Sequence, residues 1–248
     1  MFAGFSRLTI LGGARGQGRT IRLERTSASP RTVVLSLDKI VVRNYSYPPD
    51  RQFVAFNNDG SIRAEMGSTW KPGYQGDIQE AIGELGPAQR RHAFWSAPQR
   101  YRIQMDLWDA RDGSHLRTLR DTVPWFMPYD SASLVQFVLG GNDVTHPPPP
   151  FLRGIRESSD SVLWLLYNIP ARNWSPTHDT IPPMQRHWRR EAYDGVIDLR
   201  DAGTGRELMT TWTNLPLVGF VNDSLLVDRR RTEDGFWVYV VYKVRLRR

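Results

Sequence analysis

The feature that most constrains the fold is a hairpin pattern that occurs three times along the chain. Each copy has an apolar strand, a polar turn that carries glycine, and a second strand that mixes arginine with apolar residues. The copies span residues 53–67, 103–120 and 196–212. Their turns contain Asn-Asp-Gly, Arg-Asp-Gly or Gly-Thr-Gly, which supply the positive φ angles of a tight antiparallel reversal. Because helical periodicity is scarce elsewhere, the pattern predicts a repeated, nearly all-β protein.

Each hairpin is preceded by another pair of apolar runs around a polar turn, which gives four strands per unit. These runs are TVVLSLDKIVV, the weaker RRHAFWSAPQ and IRESSDSVLWLLYN, and a fourth unit follows with three strands. Each unit is about 54 residues long, near the length of a four-stranded propeller blade with its loops. We predict blades at approximately residues 32–75, 88–125, 151–215 and 216–248, with residues 1–31 as an N-terminal linker or closing strand.

Strand composition indicates sheets that stack on one another. The runs VLWLLY and WVYVVYKV are apolar at nearly every position, which is typical of strands covered on both faces. Radial stacking of small twisted sheets covers both faces and leaves only short edges. The predicted fold class is therefore all-β, a β-propeller of four-stranded antiparallel blades, about four in this chain. Residues 5–11 or 20–24 are expected to supply the missing strand beside residues 236–244.

A short helix is predicted at residues 77–84. Asp77 is a suitable N-cap, and Glu80 three residues later completes a capping box. Gly83, Gly86 and Pro87 are expected to end it.

At this level the chain resembles a known family. APQRYRIQMDLWDARDGSHLRTLRDTVPWF has an apolar strand into Leu-Trp-Asp, a glycine turn and a later Trp-Phe, and it resembles a blade of bacterial six-bladed β-propellers of the NHL-like class. GVIDLRDAGTGRELMTTW and the segment after it are similar to the closing blades of that class. The resemblance covers residues 32–246 and implies an exported protein with six blades. Four units correspond to the C-terminal two-thirds of such a propeller, or to a chain that closes differently.

The composition of the chain limits the kinds of partner and the cellular compartment that we expect for this protein. The net charge is +7, but nearly all of the 33 basic residues are arginines dispersed along the chain, which disfavours a nucleic-acid partner. The chain has no cysteine, so disulfides and thiolate chemistry are excluded, and no apolar run is long enough for a membrane helix. The family resemblance predicts the periplasm or cell envelope. The lack of a signal-peptide pattern predicts the cytoplasm if the chain is complete.

Sequence motifs for chemistry are weak. GARGQGRT at residues 13–20 approaches a P-loop, but Arg19 replaces the lysine and strand-like residues follow, which disfavours nucleotide binding. The family resemblance implies instead a glycine-rich linker between blades. The five histidines lack metal-ligand spacing, and the Asp-Gly pairs are turn residues, so neither a metal nor a cofactor is predicted. No nucleophile elbow or Ser-His-Asp set is visible.

Long loops that carry aromatic residues and arginines form the candidate functional surface. They cover residues 44–49, 125–150 and 168–188. Trp, Tyr and Arg dominate binding hot spots, although Trp174 and Trp188 could equally pin a long loop to the body. The predicted ligand-binding residues are Tyr45, Tyr47, Trp95, Arg100, Asn168, Arg172, Trp174 and Trp188.

The resulting hypothesis is a non-enzymatic binding or scaffolding module that recognises a protein, peptide or glycan through its loops. The alternative is a propeller hydrolase or lyase that uses acids such as Asp106 or Asp198 with arginines in a central channel. An open arc of four blades would expose strand edges and favour self-association.

Overall fold

The computed structural model describes strands and turns over most of the chain. The described residues are 6–11, 18–23, 33–36, 39–43, 53–57, 59–67, 84–98, 100–127, 143–144, 147–178, 192–222, 224–232 and 234–244. They contain no α-helix, and accordingly none of them belongs to a helix with the length and hydropathy needed to cross a bilayer.

The strands alternate with short turns. In chain order they are β1 Ser6–Leu11, β2 Gly18–Leu23, β3 Val33–Ser36, β4 Lys39–Arg43, β5 Phe53–Phe56, β6 Ile62–Met66, β7 Glu84–Pro87, β8 Ala93–Ala97, β9 Gln104–Asp109 and β10 His115–Arg120. They continue with β11 Asp143–Val144, β12 Phe151–Glu157, β13 Val162–Pro170, β14 Thr177–His178, β15 Tyr193–Asp201, β16 Glu207–Thr213, β17 Gly219–Asn222, β18 Leu225–Arg231 and β19 Trp237–Lys243.

Three sheets have four strands in simple sequential order, and we call them blades 1, 2 and 3. Blade 1 is β3-β4-β5-β6, blade 2 is β7-β8-β9-β10, and blade 3 is β12-β13-β15-β16. A three-stranded C-terminal sheet, β17-β18-β19, follows. The prediction of an all-β protein of four-stranded antiparallel blades, the β-propeller class, is confirmed.

The hairpin turns share one hydrogen-bonding scheme. In blade 1 the Asn57 N–H donates to the Ser61 carbonyl (2.9 Å), and the Gly60 N–H donates back to the Asn57 carbonyl (3.0 Å). Gly60 has φ 93°, and Gly113 and Gly205 hold the corresponding places in blades 2 and 3 with φ 77° and 78°. Positive φ is the left-handed conformation that glycine adopts at little cost, so the predicted turn glycines set the strand reversals.

The chain divides into two compact units, each with its own apolar core. The first comprises residues 1–98 and 105–118, and the second residues 99–104 and 119–248. In the first unit, blades 1 and 2 pack face to face, with Phe53 and Phe94 in edge-to-face contact at 6.2 Å between ring centroids. In the second, blade 3 packs on the C-terminal sheet through Trp164, Leu226 and their neighbours.

The second unit also buries a continuous central strand, as predicted. Residues 163–169 of β13 are all buried, which matches the prediction for VLWLLY. The same prediction is wrong for WVYVVYK in β19, where Tyr239 is 64% and Val241 51% exposed. The physical reason is that β19 is the edge strand of its sheet, and in the described part of the chain nothing covers the face that carries these two side chains.

Two further expectations differ from the structure. Gly86 and Pro87, expected to end a helix, lie in β7, an edge strand of blade 2, where a proline is tolerated; residues 77–83 lie outside the described residues. Of the segments expected to complete the last sheet, β1 and β2 pair with each other from Ser6↔Leu23 to Leu11↔Gly18. A local hairpin closes a much shorter loop than pairing across the whole chain would, so it costs less entropy.

Candidate binding site at the end of blade 3

The candidate site is built around the turn that follows β13. The Ala171 N–H donates to the Ala192 carbonyl (3.0 Å), and the Trp174 N–H donates to the Ala171 carbonyl (2.9 Å). Between them, the Arg172 N–H donates to Oδ2 of Asp194 at 3.0 Å. These bonds fix the turn across the end of blade 3, with the Arg172 side chain contacting one face of the sheet and the Trp174 side chain the other.

On one face, Arg172 lies on a cluster of aromatic rings that meet edge to face. Its guanidinium carbon is 4.7 Å from the centroid of the Trp212 ring, and Trp212 meets Trp125 at 6.0 Å. Trp125 in turn contacts Tyr167 at 5.2 Å, and Phe126 contacts Tyr167 at 5.3 Å. Arg172 is exposed and Trp212 is 39% exposed, while Tyr167 is buried. A solvent-facing cation–π pair therefore stands on a buried aromatic base.

On the other face, a second arginine stacks on aromatic rings. The Arg100 guanidinium lies 4.9 Å from the ring centroids of both Tyr101 and Phe151, and its Nη2 donates to the Tyr101 hydroxyl at 2.7 Å. Phe151 contacts Tyr193 at 5.4 Å, and Trp174 packs against the same cluster. Burial, reinforced by the Tyr101 side chain, raises the pKa of Tyr193 far above its usual range, so this cluster carries only the arginine charge.

Two buried polar atoms lie beside these rings. Among the described residues, neither the Tyr167 hydroxyl nor Oδ1 of Asn168 has a hydrogen-bond partner. Burial, and then the charge of Asp198, raises the pKa of Tyr167 well above 10. A buried polar group without a hydrogen bond costs on the order of 1–3 kcal/mol. The two groups therefore lower the stability of blade 3 at this end.

A charged network lies on the Tyr167 face of the blade. Arg200 Nε donates to Oδ2 of Asp198 at 2.8 Å, and its Nη1 donates to Oδ2 of Asp121 at 2.5 Å. Burial raises the pKa of Asp198. The pKa of Asp121 is lowered, because the hydrogen bond from Arg200 and its charge outweigh the effect of partial burial.

This network bears on the enzyme alternative. Two carboxylates and an arginine do meet, but Asp198 is 0% and Arg200 2% exposed, so only Asp121 faces solvent. Asp106, the other acid of that hypothesis, is buried and accepts a hydrogen bond from Thr118 at 2.6 Å. The contacts tie the segment after β10 to blade 3, and within the described residues no group of His, Asp and Glu could hold a metal ion.

The structure brings four of the predicted binding residues together. Arg100, Asn168, Arg172 and Trp174 all lie at this end of blade 3, although Asn168 belongs to β13 rather than to a loop. Trp95 is 1% exposed in β8 of blade 2 and belongs to the first compact unit. Tyr45, Tyr47 and Trp188 lie outside the described residues.

The sequence analysis missed the ring stack under Arg172. Trp212 and Tyr167 lie within strands, so a search of loops passes over them, whereas strand register places both opposite Val196 in one row across the blade. The signal available in the sequence was the tryptophan that closely follows each of two predicted hairpins, Trp125 after residues 103–120 and Trp212 at the end of residues 196–212.

Comparison with known proteins finds structural likeness without a family. No protein-family model matches the chain, and no curated protein matches it. The computationally designed Ika4 protein is similar over 90% of this chain and 96% of its own, with 11% identity and a TM-score of 0.43. Sqt1 of Saccharomyces cerevisiae is similar over 98% of this chain with 11% identity and a TM-score of 0.43, and a chain of the Mitotic Checkpoint Complex over 96% with 14% identity and a TM-score of 0.41.

Coverage of these structures differs. The similarity spans 64% of the Sqt1 chain, less than two thirds of its length, and 68% of the chain from the Mitotic Checkpoint Complex. The assignment to the β-propeller class rests on the strand order and turns described above.

Proposed function

We propose that the protein is a non-enzymatic binding or scaffolding module that recognises a protein or peptide at the end of blade 3, with a glycan as the alternative ligand. The observation that carries the proposal is the exposed stack of Arg172 on Trp212. Arginine and tryptophan are the residues most enriched at binding hot spots, and here a rigid blade presents both.

The stack of Arg172 on Trp212 favours binding because both side chains are already ordered in the free protein, so that binding costs little further side-chain entropy. Trp212 is supported by Trp125, and the Arg172 backbone is held by Asp194. Among the described residues the Arg172 guanidinium makes no hydrogen bond, so all five of its N–H groups are free to donate to backbone carbonyls or carboxylates of a ligand. Preorganised anchors raise affinity by reducing what must be ordered on binding.

The finer parts of the interpretation belong to this proposal. They are an exported, bacterial, six-bladed propeller of the NHL-like class in the cell envelope, with blade limits as predicted from the sequence. The blade limits rest on the repeats in the sequence, and the other parts rest on the resemblance to the NHL-like class.

The proposal is tested with a random peptide library and a glycan array, both screened against the wild-type protein. Ligands selected by the wild type are expected to lose at least about tenfold in affinity for Arg172→Ala and for Trp212→Ala. The matched control is Arg206→Ala, which removes an exposed arginine from the turn at the opposite end of the same blade.

Two results would count against the proposal. One is a set of ligands whose affinity is the same for the wild type and both variants. The other is turnover of a sugar or ester substrate by the wild type that Arg172→Ala leaves unchanged, which would favour the enzyme alternative.

A further inference from the structure

The edge strand β19 exposes an unusual length of uncharged, apolar chain. Residues 237–242 read WVYVVY, and the side chains of Val238, Tyr239 and Val241 are 40%, 64% and 51% exposed. Edge strands of monomeric proteins usually carry a charge, a proline or a bulge that prevents pairing with another strand. The register of β19 with β18 runs from Trp237 to Lys243 without a bulge, and the strand carries a charge only at its last residue, so residues 237–242 have none of these protections.

The backbone of β19 has donors and acceptors directed away from its sheet. The Thr232 N–H donates to the Phe236 carbonyl, and the Val244 N–H donates to the Ser224 carbonyl, both at 2.8 Å. In an antiparallel ladder such pairs alternate, so even-numbered residues of β19 bond to β18, and Tyr239 and Val241 direct their N–H and C=O groups outward. Within the described residues the sheet ends at β19.

The strand is also complementary to itself. Antiparallel pairing of two copies around Val240 sets Tyr239 of each copy opposite Val241 of the other, on the same face of a continuous sheet. In this register the exposed Lys243 of each copy lies opposite position 237 of the other, so the two ammonium groups stand at opposite ends of the paired strands. Parallel pairing would place like charges together.

We propose that β19 pairs antiparallel with β19 of a second copy of this chain, which joins two C-terminal sheets into one sheet across a two-fold axis. This interface goes beyond the proposed function and uses none of the residues of the blade 3 site. Backbone hydrogen bonds of Tyr239 and Val241 hold the two strands, and the outward Tyr239 and Val241 side chains pack across the axis.

Sedimentation velocity over a range of protein concentrations tests the proposal. The wild type is expected to form a dimer, and Val241→Lys is expected to weaken it by at least about tenfold because it places a charge on the pairing edge. The control is Val221→Lys, which alters a valine of nearly equal exposure, 53% against 51%, on the other edge strand, β17. A monomeric wild type at all concentrations, or equal weakening by both variants, would overturn the proposal.

Hydrogen exchange provides a readout that does not depend on a variant that folds. Dimerisation is expected to slow exchange at the amides of Tyr239 and Val241, whereas those of Val238 and Val240 are already bonded to β18 and change little. A concentration-dependent slowing elsewhere, without these two amides, would show association through another surface.

Single cysteines check the orientation of the strands, because the chain has none of its own. Val240→Cys, at the two-fold axis, is expected to form a disulfide between the two copies on oxidation, whereas Lys243→Cys, at the end of the strand, is expected to form none. A disulfide through position 243 would rule out the antiparallel arrangement. A dimer that forms only after another protein is added would assign the edge to a different partner and contradict the self-pairing.

Discussion

Blades 2 and 3 contain the same repeat, and they differ in the chemistry of a position in its middle, residue 108 in blade 2 and residue 200 in blade 3. Residues 106–120 align with residues 198–212 without a gap. In both, a threonine twelve residues after the first aspartate donates to it: Thr118 to Asp106 at 2.6 Å, and Thr210 to Asp198 at 3.5 Å. The alignment is therefore structural as well as sequential.

The backbone hydrogen bonds and φ angles of the two blades also correspond. The Ala110 N–H donates to the carbonyl of His92 at 2.7 Å, and the Ala202 N–H donates to the carbonyl of Ser161 at 2.9 Å. His92 and Ser161 both have positive φ, 62° and 60°, although neither is glycine. Each blade thus holds a left-handed residue before its second strand and bonds it to the turn after its third.

The difference is Trp108 in blade 2 and Arg200 in blade 3. Trp108 packs against the apolar cluster that contains Phe53 and Phe94, and its Nε1 donates to Ser96 at 2.9 Å. Arg200 instead joins Asp198 to Asp121. The comparison teaches that turns and backbone bonds define the repeat, and that the surface between them accepts either apolar or ionic chemistry.

The largest effect is expected for Arg200→Trp, which places the residue of blade 2 at the equivalent position of blade 3 and so tests the role of the buried ion pair. Asp198 would then lie buried without its countercharge, and we expect the free energy of unfolding to fall by about 3–5 kcal/mol in urea titration. Arg111→Trp is the control, because Arg111 also pairs with an aspartate two residues earlier but is 58% exposed. It should lower the free energy of unfolding far less, because water can take the place of an exposed guanidinium. Equal losses would mean that burial of the pair is unimportant.

The turn glycines test whether the two blades are equivalent. Gly205→Ala and Gly113→Ala each place a Cβ on a positive-φ residue, 3.0 Å from Leu119 and 3.1 Å from Met66 respectively. We expect each to lower the free energy of unfolding by about 1–3 kcal/mol. Gly219→Ala, with nothing within 4 Å of the new Cβ, should change it by less than about 1 kcal/mol. A large loss of stability for one of these two variants but not for the other would show that the two turns are not equivalent.

The smallest expected effect is on carboxyl titration. The hydrogen bond from Arg111 lowers the pKa of Asp109 in blade 2, whereas burial raises the pKa of Asp198 in blade 3. Asp109 therefore contributes stability above its unfolded pKa near 3.8 that is lost as the pH falls through its lower folded value. Asp198 has the opposite sign, since the folded protein takes up its proton first and gains stability as the pH falls through the raised pKa. Carbon-13 NMR of the side-chain carboxyls should show Asp198 titrating at higher pH; the reverse order would contradict the assignment.

The sequence predicted the repeated hairpins because turn chemistry is local. Glycine at positive φ and aspartate before it identify the reversals without knowledge of the rest of the chain, as Gly113 and Gly205 show. It failed at β7, where Gly86 and Pro87 lie in a strand because they occupy a sheet edge. Edge position is a property of the assembled sheet, which no local pattern contains.

The site was predictable only in part for the same reason. Arg172 and Trp174 were identified from loop composition, and the fold places them at one end of blade 3. Their partners lie in strands that are distant along the chain: Trp212 is 40 residues after Arg172, and Phe151 is 23 residues before Trp174. Only the strand register brings them together. The exposed face of β19 was missed because an apolar strand looks the same in sequence whether it is covered or not.

The edge-to-face contact of Trp125 with Trp212 has an optical consequence. Trp125 and Trp212 lie 6.0 Å apart at 73°, close enough for the excited states of the two indoles to couple. Such a pair gives circular dichroism bands of opposite sign that depend on the angle between the rings. A ligand of the proposed site that displaces Arg172 or turns Trp212 is therefore expected to change this signal, which would allow binding to be followed without an attached label.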